Sequence, residues 1–83
     1  MAWNYYSLMT TADFDALGVS CHEDTYELED IGSVEITVCK GRYYGLVYNG
    51  TFVCSGINGE SNLNFDGVVC LVEDGMIKLG LPE

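Results

Sequence analysis

The sequence predicts a single α+β domain: a small antiparallel β-meander of four to six strands, with three two-residue hairpins and one short N-terminal helix. Three observations carry this. Dipeptides of the type that reverse a chain, Lys40-Gly41, Asn49-Gly50 and Asp74-Gly75, sit between short runs of β-branched and aromatic residues. One segment near the N-terminus has a helix start and stop signal. The length of 83 residues has room for one core and no more.

The hairpins fix a register. Lys40-Gly41 joins Ser33–Cys39 to Arg42–Tyr48, Asn49-Gly50 joins Arg42–Tyr48 to Thr51–Ser55, and Asp74-Gly75 joins Val68–Glu73 to Met76–Leu79. Asn-Gly and Asp-Gly favour the type I′ turn, whose twist matches the flanking strands; Lys-Gly is a weaker form of the signal. Two-residue loops throughout place Val34, Ile36, Val38, Tyr43, Val47, Phe52 and Cys54 on one sheet face. Glu35, Thr37, Cys39, Arg42, Tyr44, Leu46, Tyr48, Thr51 and Val53 then fall on the other, because side chains alternate across a strand. The first face is almost wholly apolar and is the expected core. In the third hairpin Val68, Cys70, Val72, Ile77, Leu79 and Leu81 fall together in the same way.

The N-terminal half carries weaker signals. Thr10-Thr11 caps a helix through Leu17, with Gly18 at its end and Phe14 and Leu17 on its buried side. Trp3–Met9 reads as a strand or a helical first turn. Thr25–Glu29 alternates Tyr26 and Leu28 with Glu27 and Glu29, as a strand with an acidic outer face does. Residues 57–66, rich in Asn, Gly and Ser, read as a long loop.

Charge is the most informative property. Thirteen acids against three cations give a net charge of −10 and a pI near 4.1. The first 39 residues hold eight acids and no lysine or arginine, whereas the remainder holds five acids and all three cations. Direct nucleic-acid binding is excluded on this count, since Lys40, Arg42 and Lys78 cannot neutralise a phosphate track. The longest aliphatic run, Val68–Val72, is far short of the roughly 20 residues a membrane span needs. With no basic segment before it, the N-terminus does not read as a secretory signal, so a cytoplasmic location is expected.

No catalytic, cofactor or metal motif stands out, and the chain does not read as an enzyme. Cys21, Cys39, Cys54 and Cys70 lack the C-x-x-C spacing of zinc and redox sites, and are expected as reduced, buried thiols. Cys21-His22 pairs a thiol with the only imidazole, but neighbours in an extended segment point to opposite faces. Asp13, Asp15, Gly18 and Asp24 fall at calcium-loop spacing, yet Leu17 stands where an oxygen ligand is needed and the following segment reads as strand. Asn49-Gly50-Thr51 matches a glycosylation sequon, which matters only in a secreted chain.

The expected role is a binding protein that presents a negative surface to a basic partner, where complementary charge speeds association and fixes specificity. Asp13, Asp15, Glu23, Asp24, Glu27, Glu29 and Asp30 are the expected contact residues. Tyr44 and Tyr48, on the second sheet face with Leu46 and Val53, are either a further contact surface, with a partner or a second copy in a homodimer, or a layer covered by the helix. A basic cleft that normally holds nucleic acid, in an effector complex or a nuclease, is the natural target, because carboxylates stand in for phosphates. In size, charge and lack of catalytic motif the chain resembles small phage-encoded inhibitors of host defence, such as anti-CRISPR proteins and other DNA mimics. That resemblance implies an inhibitor acting in the host cytoplasm and assigns no residue roles. An immunity protein or antitoxin against a basic nuclease toxin fits the same physics. A structural or accessory oligomer subunit is the reading from another class.

Overall fold

A computed structural model describes residues 3–55, 62–63 and 67–83. The elements run β1 (Trp3–Thr10), α1 (Thr11–Leu17), β2 (Cys21–Leu28), β3 (Gly32–Lys40), β4 (Tyr44–Tyr48), β5 (Thr51–Cys54), β6 (Asn62–Leu63), β7 (Val69–Glu73) and β8 (Met76–Pro82). They form two four-stranded antiparallel sheets, ordered β1-β8-β7-β6 and β2-β3-β4-β5. The domain is therefore mostly antiparallel β with one short helix, as expected, but eight strands are described where four to six were expected, and they make two layers. The second sheet is the expected meander. The first is closed by β1 pairing with β8, Trp3 against Pro82 and Tyr6 against Leu79. The loop reading over 57–66 falls largely outside the described residues, but Asn62 and Leu63 pair with Cys70 and Val69.

Two of the three expected hairpins form as read. Asn49 and Gly50 have φ of 53° and 80°, and Asp74 and Gly75 have φ of 51° and 74°. Only Gly, and less readily Asn or Asp, enters this left-handed region at low cost, so these dipeptides set both turns. Tyr48 accordingly faces Thr51, and Val72 faces Ile77. The third differs. β3 and β4 join through Gly41, Arg42 and Tyr43, and Lys40 lies opposite Tyr44. Lys has no preference for positive φ, so nothing holds Lys40-Gly41 in a type I′ turn. The longer loop reverses the parity of β4 and β5 against β3.

That reversal decides the core. Ile36 and Val38 point inward as expected, but their partners are Tyr44, Leu46, Tyr48 and Val53; Val47 and Phe52 lie on the outside. Ile36, Val38 and Leu46 are fully buried, whereas Phe52 is 56% exposed. Against them pack Cys70, Ile77 and Leu79 of the other sheet, on the face the sequence assigned to the core. Phe14 fills the same cluster. Gly80 admits the Tyr5 ring on the outer side of the first sheet; a Cβ there would lie 2.7 Å from it.

The helix begins and ends where its signals stand. The Thr10 hydroxyl accepts from the Asp13 N–H at 3.0 Å, and Gly18 closes α1 with φ 68°. Phe14 is buried, but Leu17 is exposed, since one short helix resting on a sheet end turns only a single residue fully inward. The Thr11 N–H donates to the Gly75 carbonyl at 2.9 Å, which ties α1 to the β7–β8 turn. No helix among the described residues is long and apolar enough to cross a membrane.

β2 and β3 form a hairpin that the sequence reading saw only in part. The Ile31 N–H donates to the Leu28 carbonyl at 3.2 Å and Gly32 follows with φ 86°, giving a three-residue loop, Glu29-Asp30-Ile31. This register sets Cys21 against Cys39, and the two are joined by a disulfide. The expectation of four reduced thiols therefore fails at this pair. Cys54 and Cys70 are free, and burial, with the charge of Cys54 second, pushes the Cys70 thiol up to about 12. The cytoplasmic expectation was drawn from the N-terminal sequence, and a disulfide counts against it, since disulfides persist mainly in oxidising compartments.

Candidate acidic interface on the second sheet

β2 alternates strictly. Cys21, Glu23, Thr25 and Glu27 point away from the core, paired with Cys39, Thr37, Glu35 and Ser33 of β3. His22, Asp24, Tyr26 and Leu28 turn toward the other sheet, opposite Val38, Ile36, Val34 and Gly32. Leu28 is buried and Tyr26 half-buried; Asp24 remains exposed because β2 is an edge strand.

The outer face thus gathers three carboxylates. Glu35 sits opposite Thr25, with Glu23 and Glu27 at its two diagonals, positions about 7–8 Å apart in an antiparallel pair. No Lys or Arg of β2–β5 points to this face among the described residues. Glu27 accepts a hydrogen bond from the Ser33 hydroxyl, which orients its carboxylate without neutralising it. Beside the acids stand Val47 and the exposed ring of Phe52, which lies across Gly45; a Cβ on Gly45 would come within 3.1 Å of that ring. A shallow depression lined by Glu23, Glu35, Thr37, Val47 and Asn49 runs between the two.

The remaining expected contact residues are dispersed. Asp13 is exposed in the first turn of α1. Asp15 accepts from the Tyr44 hydroxyl at 2.9 Å and from Lys40 Nζ at 3.2 Å. The Tyr44 hydrogen bond first, and the Lys40 ammonium second, hold the Asp15 carboxyl below the usual range. Asp15 is thus neutralised locally, contrary to the inference from charge along the chain, because Lys40 at the end of β3 folds back onto the helix. Lys40 Nζ also lies 4.8 Å from the Tyr44 ring centre, and its pKa is raised by Tyr44 and then by Asp15. Asp30 lies near the Tyr6 hydroxyl; burial and then the Asp30 charge raise that phenol. Glu29 is exposed in the turn beside it. Asp24 accepts from the Thr25 N–H at 2.8 Å and lies 3.8 Å from His22 Nε2.

Tyr44 and Tyr48 do not form an open aromatic patch. Both are half-buried and pack on the core; the Tyr44 ring meets Phe14 edge-on at 5.9 Å. Among the aromatics of β2–β5 the exposed one is Phe52, which the two-residue loop had placed inside. Glu35, Val47 and Phe52 are the members of this surface that sequence reasoning missed. The weakness of Lys-Gly as a turn signal was the available clue, since one extra loop residue exchanges the two faces.

The same geometry places the other candidates. Cys21 is bonded to Cys39, so Cys21-His22 offers no free thiol. Asp13 and Asp15 lie on α1 and Asp24 on β2, with no loop to wrap an ion, and no group of three potential ligands occurs among the described residues. The arrangement can attract and orient cations. No protein-family model, curated protein or solved structure matches the chain.

Proposed function

We propose that the protein is a non-enzymatic binding protein that sets the outer face of the β2–β5 sheet against a basic partner, in the manner of an inhibitor occupying a cleft for nucleic acid. The observation that supports this is the triangle of Glu23, Glu27 and Glu35 on one face, with no Lys or Arg of β2–β5 on that face among the described residues and an exposed Phe52 on the same side of the sheet. Like charges held at diagonal positions on one face repel through space, so their concentration on one side is a cost that solubility alone does not require. Carboxylates spaced along a rigid sheet offer a cationic groove charges in place of phosphates, and an exposed aromatic supplies the apolar anchor that such interfaces use.

The test is association with a basic nuclease or nucleic-acid-binding effector complex, measured by surface plasmon resonance at several salt concentrations, with DNA as competitor. The wild-type protein binds, DNA displaces it, and the on-rate falls as salt rises. Replacing Glu23, Glu27 and Glu35 by Lys removes binding with the fold intact by circular dichroism. Unchanged affinity after that reversal moves the site elsewhere.

A further inference from the structure

The edge of the second sheet is open along the whole of β2, which has β3 on one side and no described strand on the other. Which backbone groups it presents follows from the pairing. The Lys40 N–H donates to the Ser20 carbonyl at 2.9 Å, so Ser20 and Lys40 form a hydrogen-bonded pair. Such pairs alternate with non-bonded ones in an antiparallel ladder. Cys21–Cys39 is therefore non-bonded, in keeping with a Cα–Cα distance of 4.0 Å, on the short side of the two spacings. Continuing the alternation, His22, Asp24, Tyr26 and Leu28 bond to β3, while the N–H and C=O groups of Cys21, Glu23, Thr25 and Glu27 point outward. The Thr25 N–H agrees with this: its acceptor is the Asp24 carboxylate and not a β3 carbonyl.

We propose that β2 is a docking edge to which an extended, basic segment of the partner protein adds as a fifth strand. The proposal rests on the acidic-surface reading above and assigns the element that meets the partner. Charge complementarity selects the occupant. A second copy pairing β2 with β2 antiparallel about Thr25 sets Glu23 opposite Glu27 of its twin at two places, and like charges across a strand pair repel. A segment with Lys or Arg at alternate positions instead places cations opposite Glu23 and Glu27 on the outer face. Its intervening side chains lie along His22, Asp24 and Tyr26. The docked strand's carbonyl replaces Asp24 at the Thr25 N–H and frees that carboxylate for a cation. Main-chain bonds then supply affinity and the carboxylates supply selection, which is how strand addition divides the two tasks. The Cys21–Cys39 bond keeps the edge from peeling away from β3.

The experiment uses the full-length, oxidised protein and two synthetic peptides of alternating Lys and Val matched to β2 in length. One is unmodified, and the other carries N-methyl groups on alternate backbone nitrogens. Amide hydrogen exchange is followed by NMR. At a free concentration about ten times its Kd, the unmodified peptide slows exchange at Glu23, Thr25 and Glu27 about tenfold, because only the unbound fraction exchanges. The amides of His22, Asp24 and Tyr26, already bonded to β3, stay as they are, and the methylated peptide gives no such protection. Equal binding of both peptides without protection at the three amides overturns the docking edge and leaves the acidic-surface reading standing. Absence of binding by either peptide at low salt overturns both.

Discussion

Replacing Leu46 by Ala tests the register of β4, and with it the identity of every residue on the proposed binding face. Leu46 lies opposite Val38 and Val53 and is fully buried. Truncating a fully buried Leu removes its transfer free energy and leaves a cavity, together about 2–5 kcal/mol. A domain of 83 residues has only about 4–12 kcal/mol of stability in all. With a urea m-value of about 1–1.5 kcal/mol/M, a 3 kcal/mol loss lowers the midpoint by about 2–3 M. Phe52→Ala is the comparison. Its ring is 56% exposed, and burying a whole Phe contributes about 1.5–3 kcal/mol, so its removal costs about 1 kcal/mol. Urea unfolding of both variants, oxidised and followed by Trp3 fluorescence and far-UV circular dichroism, gives the order directly. A larger loss for Phe52→Ala than for Leu46→Ala refutes the three-residue loop and returns Tyr44, Leu46 and Tyr48 to the surface.

Two further outcomes follow from the cross-links. The oxidised protein, denatured without reductant, labels two thiols, Cys54 and Cys70, and four after reduction; four at the outset contradicts the Cys21–Cys39 bond. Closing a loop of sequence separation 18 restricts the unfolded chain by about 3 kcal/mol, so Cys21→Ser with Cys39→Ser unfolds at correspondingly lower urea. The Asp15–Tyr44–Lys40 tie depends on pH at both ends. The Asp15 carboxyl is lowered on folding, so its contribution is complete above the ordinary value of 3.8 and is lost as pH falls through the folded value beneath it. Lys40 is raised, so its contribution holds below 10.5 and is lost as pH climbs through the folded value above it. Tyr44→Phe removes the largest cause of the Asp15 shift, and an acid titration of Asp15 by NMR moves toward the ordinary carboxylate range; an unchanged titration rules the hydrogen bond out.

What the sequence made legible was local. Thr10, Gly18, Asn49-Gly50 and Asp74-Gly75 each act within a few residues: a hydroxyl meets an N–H three positions on, or a residue accepts positive φ where others do not. The faces of β3, β7 and β8 followed from alternation alone. The parts that stayed hidden depend on partners far along the chain. Nothing near Trp3 marks it as the neighbour of Pro82, and the pairing that closes the first sheet spans nearly the whole sequence. The disulfide was hidden for a related reason. Cys21 meets Cys39 only if β2 reaches back to residue 21 and the Glu29–Ile31 turn has three residues. Of the candidate site, Glu27 was read on the right strand, but Glu23 lay before the strand's expected start and Glu29, expected on its outer face, falls in the turn; the charge asymmetry that drew attention to them also counted Asp15 as unneutralised. Position along the chain does not report on a cation brought back by a hairpin.

The placement of the cross-links bears on how the acidic face is held. Glu23, Glu27 and Glu35 repel one another, and β2, as an edge strand, has hydrogen bonds to one neighbour to keep it in place. An isolated hairpin of this composition is marginal in water. Each end of β2 is secured by something stronger than the ladder. At Cys21 the bond to Cys39 is covalent. At Leu28 the side chain is buried and Gly32 takes the backbone conformation the turn demands. Between them Glu27 is held by Ser33, and Tyr26 lies against the core. Lys40, the last residue of β3, lies on the opposite face from the three carboxylates and is engaged there by Asp15 and Tyr44. A fold that needed only a solvated edge gains nothing from directing its cation elsewhere, whereas a surface that meets a basic partner requires its charges rigid and unpaired. Reduction of Cys21–Cys39 at low ionic strength therefore frays β2 from the Ser20 end, seen as faster amide exchange at His22 before Tyr26. Salt suppresses the fraying by screening the three acids. Fraying that is indifferent to salt removes repulsion as the reason for the bond.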